Sequence, residues 1–259
     1  MENTDLLRAD RDGIAWLTLN RPEARNALSL ALMQALTDEL GMLAEDPAAK
    51  VVVIAGAGPA FCAGHDLREL RANPGRQFVE KTFAACSRLM LAITRLPKPV
   101  IARVHGVATA AGCQLVATCD LAVAAETARF ATPGVNIGLF CSTPMVALSR
   151  AVGRKPAMEM LLTGDLISAE RAREIGLVNR VVPEANLDAE VTRLAGQIAG
   201  KSPLTLAIGK EAFYRQAEME LEAAYDYASA VMTRNMMARD AAEGIDAFLA
   251  KRPPVWSGT

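Results

Sequence analysis

Residues 99–125 read PVIARVHGVATAAGCQLVATCDLAVAA, and two kinds of segment alternate within them. Pro99–Val104 is an apolar, β-branched run with no polar alternation, the pattern of a strand covered on both faces. Residues 105–115, HGVATAAGCQL, form a small-residue turn that opens a helix. Residues 116–125 hold the end of that helix and then a second strand, LAVAA. The same order occurs upstream, where Val51–Ile54 predicts a buried strand and residues 55–67, AGAGPAFCAGHDL, a second small-residue turn. Earlier still, Ile14–Asn20 predicts a strand that Arg21-Pro22 stops. Ser29 precedes an amphipathic helix carrying Leu30, Met33, Leu36, Leu40 and Leu43, and another helix is predicted over about 77–95. Apolar strands alternating with helices predict an α/β domain with parallel pairing. From Arg150 onward ALSRAVGRKPAMEMLLTG, SAERAREIG and NLDAEVTRLAGQIAG read as successive helices, and over 203–249 the pattern stays helical.

The 259 residues include 28 basic and 29 acidic side chains, for a net charge of −1. A balance this even offers no general field for nucleic acid or an anionic membrane. Arg103, His105, Gln114 and Asp120 interrupt the most apolar stretch, so no spanning helix is predicted. With two histidines, His65 and His105, a His-rich zinc site is excluded, and no metal site is expected. Cys62, Cys86, Cys113, Cys119 and Cys141 are odd in number and contain no C-x-x-C pair, which points to a reducing compartment. Residues 1–15 carry early acids and no apolar core, unlike a secretory signal or a transit peptide. A cytoplasmic location is the expectation.

The two small-residue turns admit two readings. Small residues let a strand and a helix pack closely. They also leave backbone N–H groups free at a helix N-terminus, where negative charge binds. Two converging turns could aim two N–H groups at one oxygen.

The runs NRPEARNAL (20–28), AFCAGHDLREL (60–70), residues 98–139, residues 151–183 and FLAKRPPVW (248–256), in that order, resemble the enoyl-CoA hydratase/isomerase (crotonase) family. The resemblance implies a crotonase, ClpP-like spiral of ββα units. Residues 1–200 would form the core with the acyl-CoA site, and residues 201–259 a helical region that builds homotrimers or dimers of trimers. It implies an acyl-CoA thioester as substrate or ligand, no permanently bound cofactor, a lyase- or isomerase-type reaction and a place in fatty acid metabolism. By motif, the oxyanion-hole donors are the backbone N–H groups of His65 and Ala111. Ala110-Ala111 stands where relatives often carry glycines. The adenine end of CoA would lie against Phe61–Asp66, with Ala63, His65 and Asp66 in contact. Arg25 is a candidate for CoA phosphate, or else a solvated loop arginine. Phe248 and Lys251 match positions that reach a CoA bound to the adjacent subunit.

One departure bears on the chemistry. Hydratases of the family use two glutamates, and here Gln114 and Gly134 stand in their places. An amide neither takes up nor releases a proton at neutral pH, and glycine has no side chain to offer. General acid–base catalysis is worth about 10²–10⁴-fold per group, so standard hydration is expected to be weak or absent. Candidate replacements for the missing groups are His65, Cys141, Ser142 and Thr143, although Ser142 or Thr143 also reads as a helix cap before PMVALSR. His105 reads as a satisfied structural histidine. Asp66 and Glu69 read as capping groups, and Asp120 as bonded to backbone. A non-catalytic acyl-CoA-binding or regulatory protein is the alternative. A serine hydrolase on the shared spiral is the remote one, because the turn Thr109-Ala110-Ala111 holds no serine and no G-x-S-x-G elbow exists.

Overall fold

The computed structural model describes residues 5–259, so the first four residues of the segment read above for a signal lie outside them. In chain order the strands are β1 (Leu6–Arg11), β2 (Ile14–Leu19), β3 (Val51–Gly56), β4 (Val100–Val104), β5 (Val107–Thr109), β6 (Leu121–Ala125), β7 (Arg129–Ala131), β8 (Ile167–Ser168) and β9 (Arg180–Val182). The helices of the first half are α1 (Leu30–Glu45), α2 (Leu67–Ala72), α3 (Arg76–Arg95) and α4 (Ala111–Thr118). Those that follow are α5 (Pro144–Ala151), α6 (Arg154–Thr163), α7 (Ala169–Glu174), α8 (Leu187–Ala199), α9 (Pro203–Gln216), α10 (Leu221–Met236) and α11 (Arg239–Leu249).

The larger sheet runs β1-β2-β3-β4-β6-β9, parallel from β2 onward. The absence of alternation in β3 has a direct cause. Val52 and Ile54 face one core, with Leu36, Leu40 and Leu89 of α1 and α3. Val51 and Val53 face a second, with Leu187, Val191 and Leu194 of α8. A smaller sheet, β5-β7-β8, lies beside it, and a bridge from Cys62 to Ala108 extends it toward the first turn. The chain thus repeats one unit, in which a strand enters the large sheet, a short stretch enters the small one, and a helix follows. The first copy runs from β3 through the bridge at Cys62 to α2, the second from β4 through β5 to α4, and the third from β6 through β7 to α5.

Ser29 caps α1, its side chain accepting from the Leu32 N–H, as the sequence predicts. The sequence reading passed over β1. Its signal was Asp12-Gly13, which turns with φ of 51° and 77° and joins β1 to β2 as an antiparallel hairpin. The cap expected at Ser142 or Thr143 does not form. Thr143 precedes α5 with helical φ and ψ and makes no side-chain cap bond, while the Ser142 hydroxyl donates back to the Phe140 carbonyl. Pro144 opens that helix and brings no N–H of its own to be capped.

α9 is tied to the sheet through one buried cluster. The Lys210 ammonium donates to the carbonyls of Ile93 and Lys98 and to Asp120 Oδ2 at 2.7 Å. The Tyr214 hydroxyl donates to Asp120 Oδ1, and the Val100 N–H completes the carboxylate's partners. Asp120 bonds backbone as predicted, but its larger role is to hold the C-terminal helices against the core. Among the described residues no helix is long and apolar enough to cross a membrane.

Candidate functional site

The two small-residue turns meet. Phe61 N–H donates to the His105 carbonyl at 3.0 Å, Cys62 N–H to Val107 at 3.1 Å, and Thr109 N–H back to Cys62 at 3.0 Å. A Cβ on Gly112 would stand 2.1 Å from the Cys62 carbonyl oxygen, so no side chain fits there. Gly64 has φ of +100°, and a Cβ on it would lie 2.9 Å from that of Ala110 and 3.3 Å from the Ala111 nitrogen. Small residues at these points bring the chain around 64 against the chain around 110. The close packing is what juxtaposes the two backbones.

A parallel bridge joins Leu28 to the first turn: Leu28 N–H donates to the Gly64 carbonyl at 2.7 Å, and Asp66 N–H to the Leu28 carbonyl at 3.1 Å. Such a bridge uses the neighbours of His65 and turns the His65 N–H away from Leu28. Ala111 is the first residue of α4, where N–H groups have no acceptor within the helix. Among the described residues neither the His65 nor the Ala111 N–H finds an acceptor. Ala110, between the turn and the helix, sits at φ 51° and ψ −117°, a conformation that favours glycine.

His65 and Ala111 both line a cavity of about 490 Å³, with Ala63, Leu70, Phe83, Gly134, Asn136, Phe140, Cys141, Ser142 and Thr143. No Asp, Glu, Lys or Arg is among its lining residues. Through Ala63, His65 and Leu67 it joins a second cavity of about 530 Å³ that holds Arg21, Arg25, Asp66 and Arg68. Arg21 is engaged by Asp66 at 2.9 Å, whereas Arg25 and Arg68 make no ion pair among the described residues. Burial alone would push the Asp66 carboxyl up, but the Glu69 N–H and the Arg21 guanidinium outweigh it and hold the group below the ordinary carboxylate range. Asp66 also caps α2, as the sequence predicts, while Glu69 accepts from the Leu30 N–H at the start of α1.

The two positions at which the resemblance expects the family glutamates differ sharply. Gln114 is 4% exposed, stands outside both cavities, and accepts from the Cys86 thiol at 3.6 Å. Gly134 does line the cavity, but the space beside it is filled. A Cβ there would lie 2.7 Å from the Leu139 carbonyl oxygen and 2.9 Å from Cys141 Sγ. Burial pushes the Cys141 thiol up, partly countered by the Gly134 N–H that it accepts, so it stands as a thiol and not as a thiolate nucleophile. Burial likewise pushes Cys62, Cys86 and Cys113 up to about 12.

His65 is driven the other way: burial lowers its imidazole to about 4, and the ring packs edge-on against Phe83 with centroids 5.2 Å apart. His105 is a satisfied structural histidine, as the sequence predicts, between the Arg103 guanidinium and the Gly58 carbonyl. Phe248 and Lys251 lie in neither cavity, and Phe248 is 81% exposed at the end of α11. The sequence reading missed Asn26. Fully buried with φ of 55°, it donates to the carbonyls of Ala57 and Ala60 and accepts from the Arg21 N–H, pinning the first turn. An asparagine amid Arg-Pro and Glu-Ala-Arg was its only signal.

The family model for enoyl-CoA hydratase/isomerase matches residues 9–259. The chain belongs to the enoyl-CoA hydratase/isomerase family. It has the crotonase fold, sharing a TM-score of 0.95 and 57% identity with a crystal structure of an enoyl-CoA hydratase from Mycobacterium smegmatis, over 98% of this chain and 99% of that one. The crystal structure of human enoyl-CoA hydratase domain-containing protein 3 gives a TM-score of 0.94 at 49% identity, over 97% of this chain and 100% of that one. The rat protein of that name is 51% identical over 247 residues, covering 95% of this chain and 82% of the relative. That rat relative and its mouse and human counterparts are named mitochondrial, which overturns the cytoplasmic expectation. Free, buried cysteines do not distinguish one reducing compartment from another.

Proposed function

We propose that this family member binds acyl-CoA and holds its thioester carbonyl oxygen between the backbone N–H groups of His65 and Ala111, with hydration weak or absent. The observation that carries this reading is the meeting of the two turns. Two backbone N–H groups without acceptors lie in the wall of one cavity, fixed by close packing that leaves no room for side chains. Preorganised donors of this kind stabilise the charge that an enolate or tetrahedral intermediate places on the oxygen, and losing one costs about 10²–10³-fold in rate. The acyl chain would enter the apolar cavity, and the CoA phosphates would meet Arg25 and Arg68, whose forked guanidinium groups match phosphate.

Gln114 and Gly134 stand for the two hydratase glutamates, and no carboxylate replaces them in the cavity wall. Reactions that need the oxygen held more than they need a tuned carboxylate remain open to such a site: double-bond isomerisation, decarboxylation or thioester hydrolysis. The uncharged wall equally favours a second reading, an acyl-CoA-binding or regulatory protein without catalysis. Residues 1–200 would carry the site. Residues 201–259, with Phe248, Leu249, Met232 and Met236 exposed, would assemble trimers or dimers of trimers, in which Phe248 and Lys251 reach a neighbour's CoA.

Calorimetry with CoA and butyryl-CoA, together with a crotonyl-CoA hydration assay, tests the proposal. Micromolar binding with hydration at least a hundredfold below an ordinary family hydratase is expected. No binding of butyryl-CoA or of free CoA, or hydration at the ordinary rate, defeats it.

A further inference from the structure

The two proposed donors are held by different means. Both neighbours of His65 are bonded to Leu28, the Gly64 carbonyl accepting and the Asp66 N–H donating, so the His65 N–H is fixed from either side. The Ala111 N–H instead follows Ala110, whose φ of 51° and ψ of −117° are unfavourable for a residue with a side chain. Backbone in such a conformation persists only where its surroundings over-determine it. On the far side of Ala110 the chain is already α4, and on the near side stands Thr109.

Thr109 is bonded twice to the first turn. Its N–H donates to the Cys62 carbonyl at 3.0 Å, and its hydroxyl donates to the Ala63 carbonyl at 3.1 Å. Among the described residues no backbone N–H uses that Ala63 carbonyl, so the hydroxyl is what satisfies it. A Cβ on Gly64 would lie 3.0 Å from the Thr109 carbonyl oxygen, so the two segments touch where the bond is made. The register is symmetrical, since Ala63 precedes His65 by as many residues as Thr109 precedes Ala111. Thr109 lines neither cavity, so it touches no ligand there and acts through Ala110 and Ala111. We infer that Thr109 is a positioning residue, whose hydroxyl ties the second turn to the first, holds Ala110 in its strained conformation and so sets the Ala111 N–H relative to that of His65. The inference rests on the acyl-CoA reading above and adds to it the residue that fixes the spacing of its two donors.

Calorimetry of butyryl-CoA against S-butyl-CoA, the thioether without a carbonyl oxygen, separates the donors from the rest of the site. The native protein should bind the thioester roughly tenfold more tightly, the worth of one neutral hydrogen bond. In Thr109→Val, which keeps the shape and loses the hydroxyl, that ratio should fall to within about threefold while the thioether affinity stays within about twofold. The infrared carbonyl stretch of bound butyryl-CoA, lowered by the donors in the native protein, should rise in the same variant. Thr109→Ser should restore both readings. Glycine takes the conformation of Ala110 without strain, so Thr109→Val combined with Ala110→Gly should keep a ratio above about fivefold. A ratio unchanged in Thr109→Val, an equal loss for both ligands, no rescue by serine, or the same fall with Ala110→Gly present overturns the inference and leaves acyl-CoA binding intact. Equal affinities for the two ligands in the native protein, or binding of neither, instead defeats the reading of the donors and takes the inference with it. Should Thr109→Val not fold, Thr109→Ala, which also lacks the hydroxyl, carries the same expectations.

Discussion

Placing carboxylates at the two positions proposed to stand for the family glutamates, as Gln114→Glu with Gly134→Glu, should fail to create a hydratase and should destabilise the protein. Any side chain at 134 begins with a Cβ placed 2.7 Å from the Leu139 carbonyl oxygen and 2.9 Å from Cys141 Sγ. Neither distance is tolerable, so the loop from Val135 to Cys141 must move. Overpacking of this kind costs about 1–3 kcal/mol. For a chain of this size each kcal/mol corresponds to about 2–4 °C, so the melting temperature should fall by roughly 2–12 °C. Gly134→Ala should show much of the same loss, because the first carbon already collides. At 114 the obstacle is different. The native amide is buried beside the Cys86 thiol and outside the cavity. Desolvation would keep a glutamate there protonated, away from a substrate's α-carbon. A carboxyl group contributes its usual 10²–10⁴-fold or so only within hydrogen-bond reach of the proton it moves. Crotonyl-CoA hydration, followed by loss of the enoyl-thioester absorbance, should stay within about tenfold of the native protein. A double variant that melts with the native protein and hydrates a hundredfold or more faster would refute the reasoning.

Three further outcomes are expected. Ala110→Gly should raise the melting temperature by a few degrees, because it releases about 1–3 kcal/mol of backbone strain at φ 51° against glycine's entropic cost of about 0.5–1 kcal/mol; thermal denaturation checks this. Lys210→Met should lose roughly 3–5 kcal/mol, since it leaves the Asp120 carboxylate uncompensated beneath α9, and the double variant Lys210→Met with Asp120→Asn should recover part of that loss in urea titrations. Stability should also fall with acid through His65. Its folded pKa of about 4 lies below the ordinary 6.5, so the unfolded chain takes up the proton first. The contribution is complete above about pH 6.5 and is lost as pH falls toward 4, at most roughly 3 kcal/mol, and the pH–stability profile of His65→Phe should lack that portion.

Periodicity and small-residue turns were enough to predict parallel strands, α1, α3 and α4, because burial on two faces writes itself into the strand as an unbroken apolar run. Val51–Ile54 shows this: alternate residues enter two separate cores, so no polar position survives between them. Chain order and motif pointed through the family resemblance to His65, Ala111, Arg25 and Asp66, and the structure sets them in the walls of the two cavities beside the turns. The short strands β5, β7 and β8 were not legible, because two or three residues carry no period and owe their conformation to partners far along the chain. Asn26 was missed for the same reason, as its amide donates to the carbonyls of Ala57 and Ala60, which only folding brings near.

By itself the sequence determined the kind of backbone this protein has and the identity of the residues at 114 and 134. Only the tertiary structure decided what those identities mean. It buried Gln114 beside the Cys86 thiol, and it filled the space beside Gly134 with Leu139 and Cys141. It also left one nitrogen of the His65 ring buried without a partner. The physical reason is that propensity and periodicity are local, whereas the direction of a side chain and the room around it depend on contacts between distant segments.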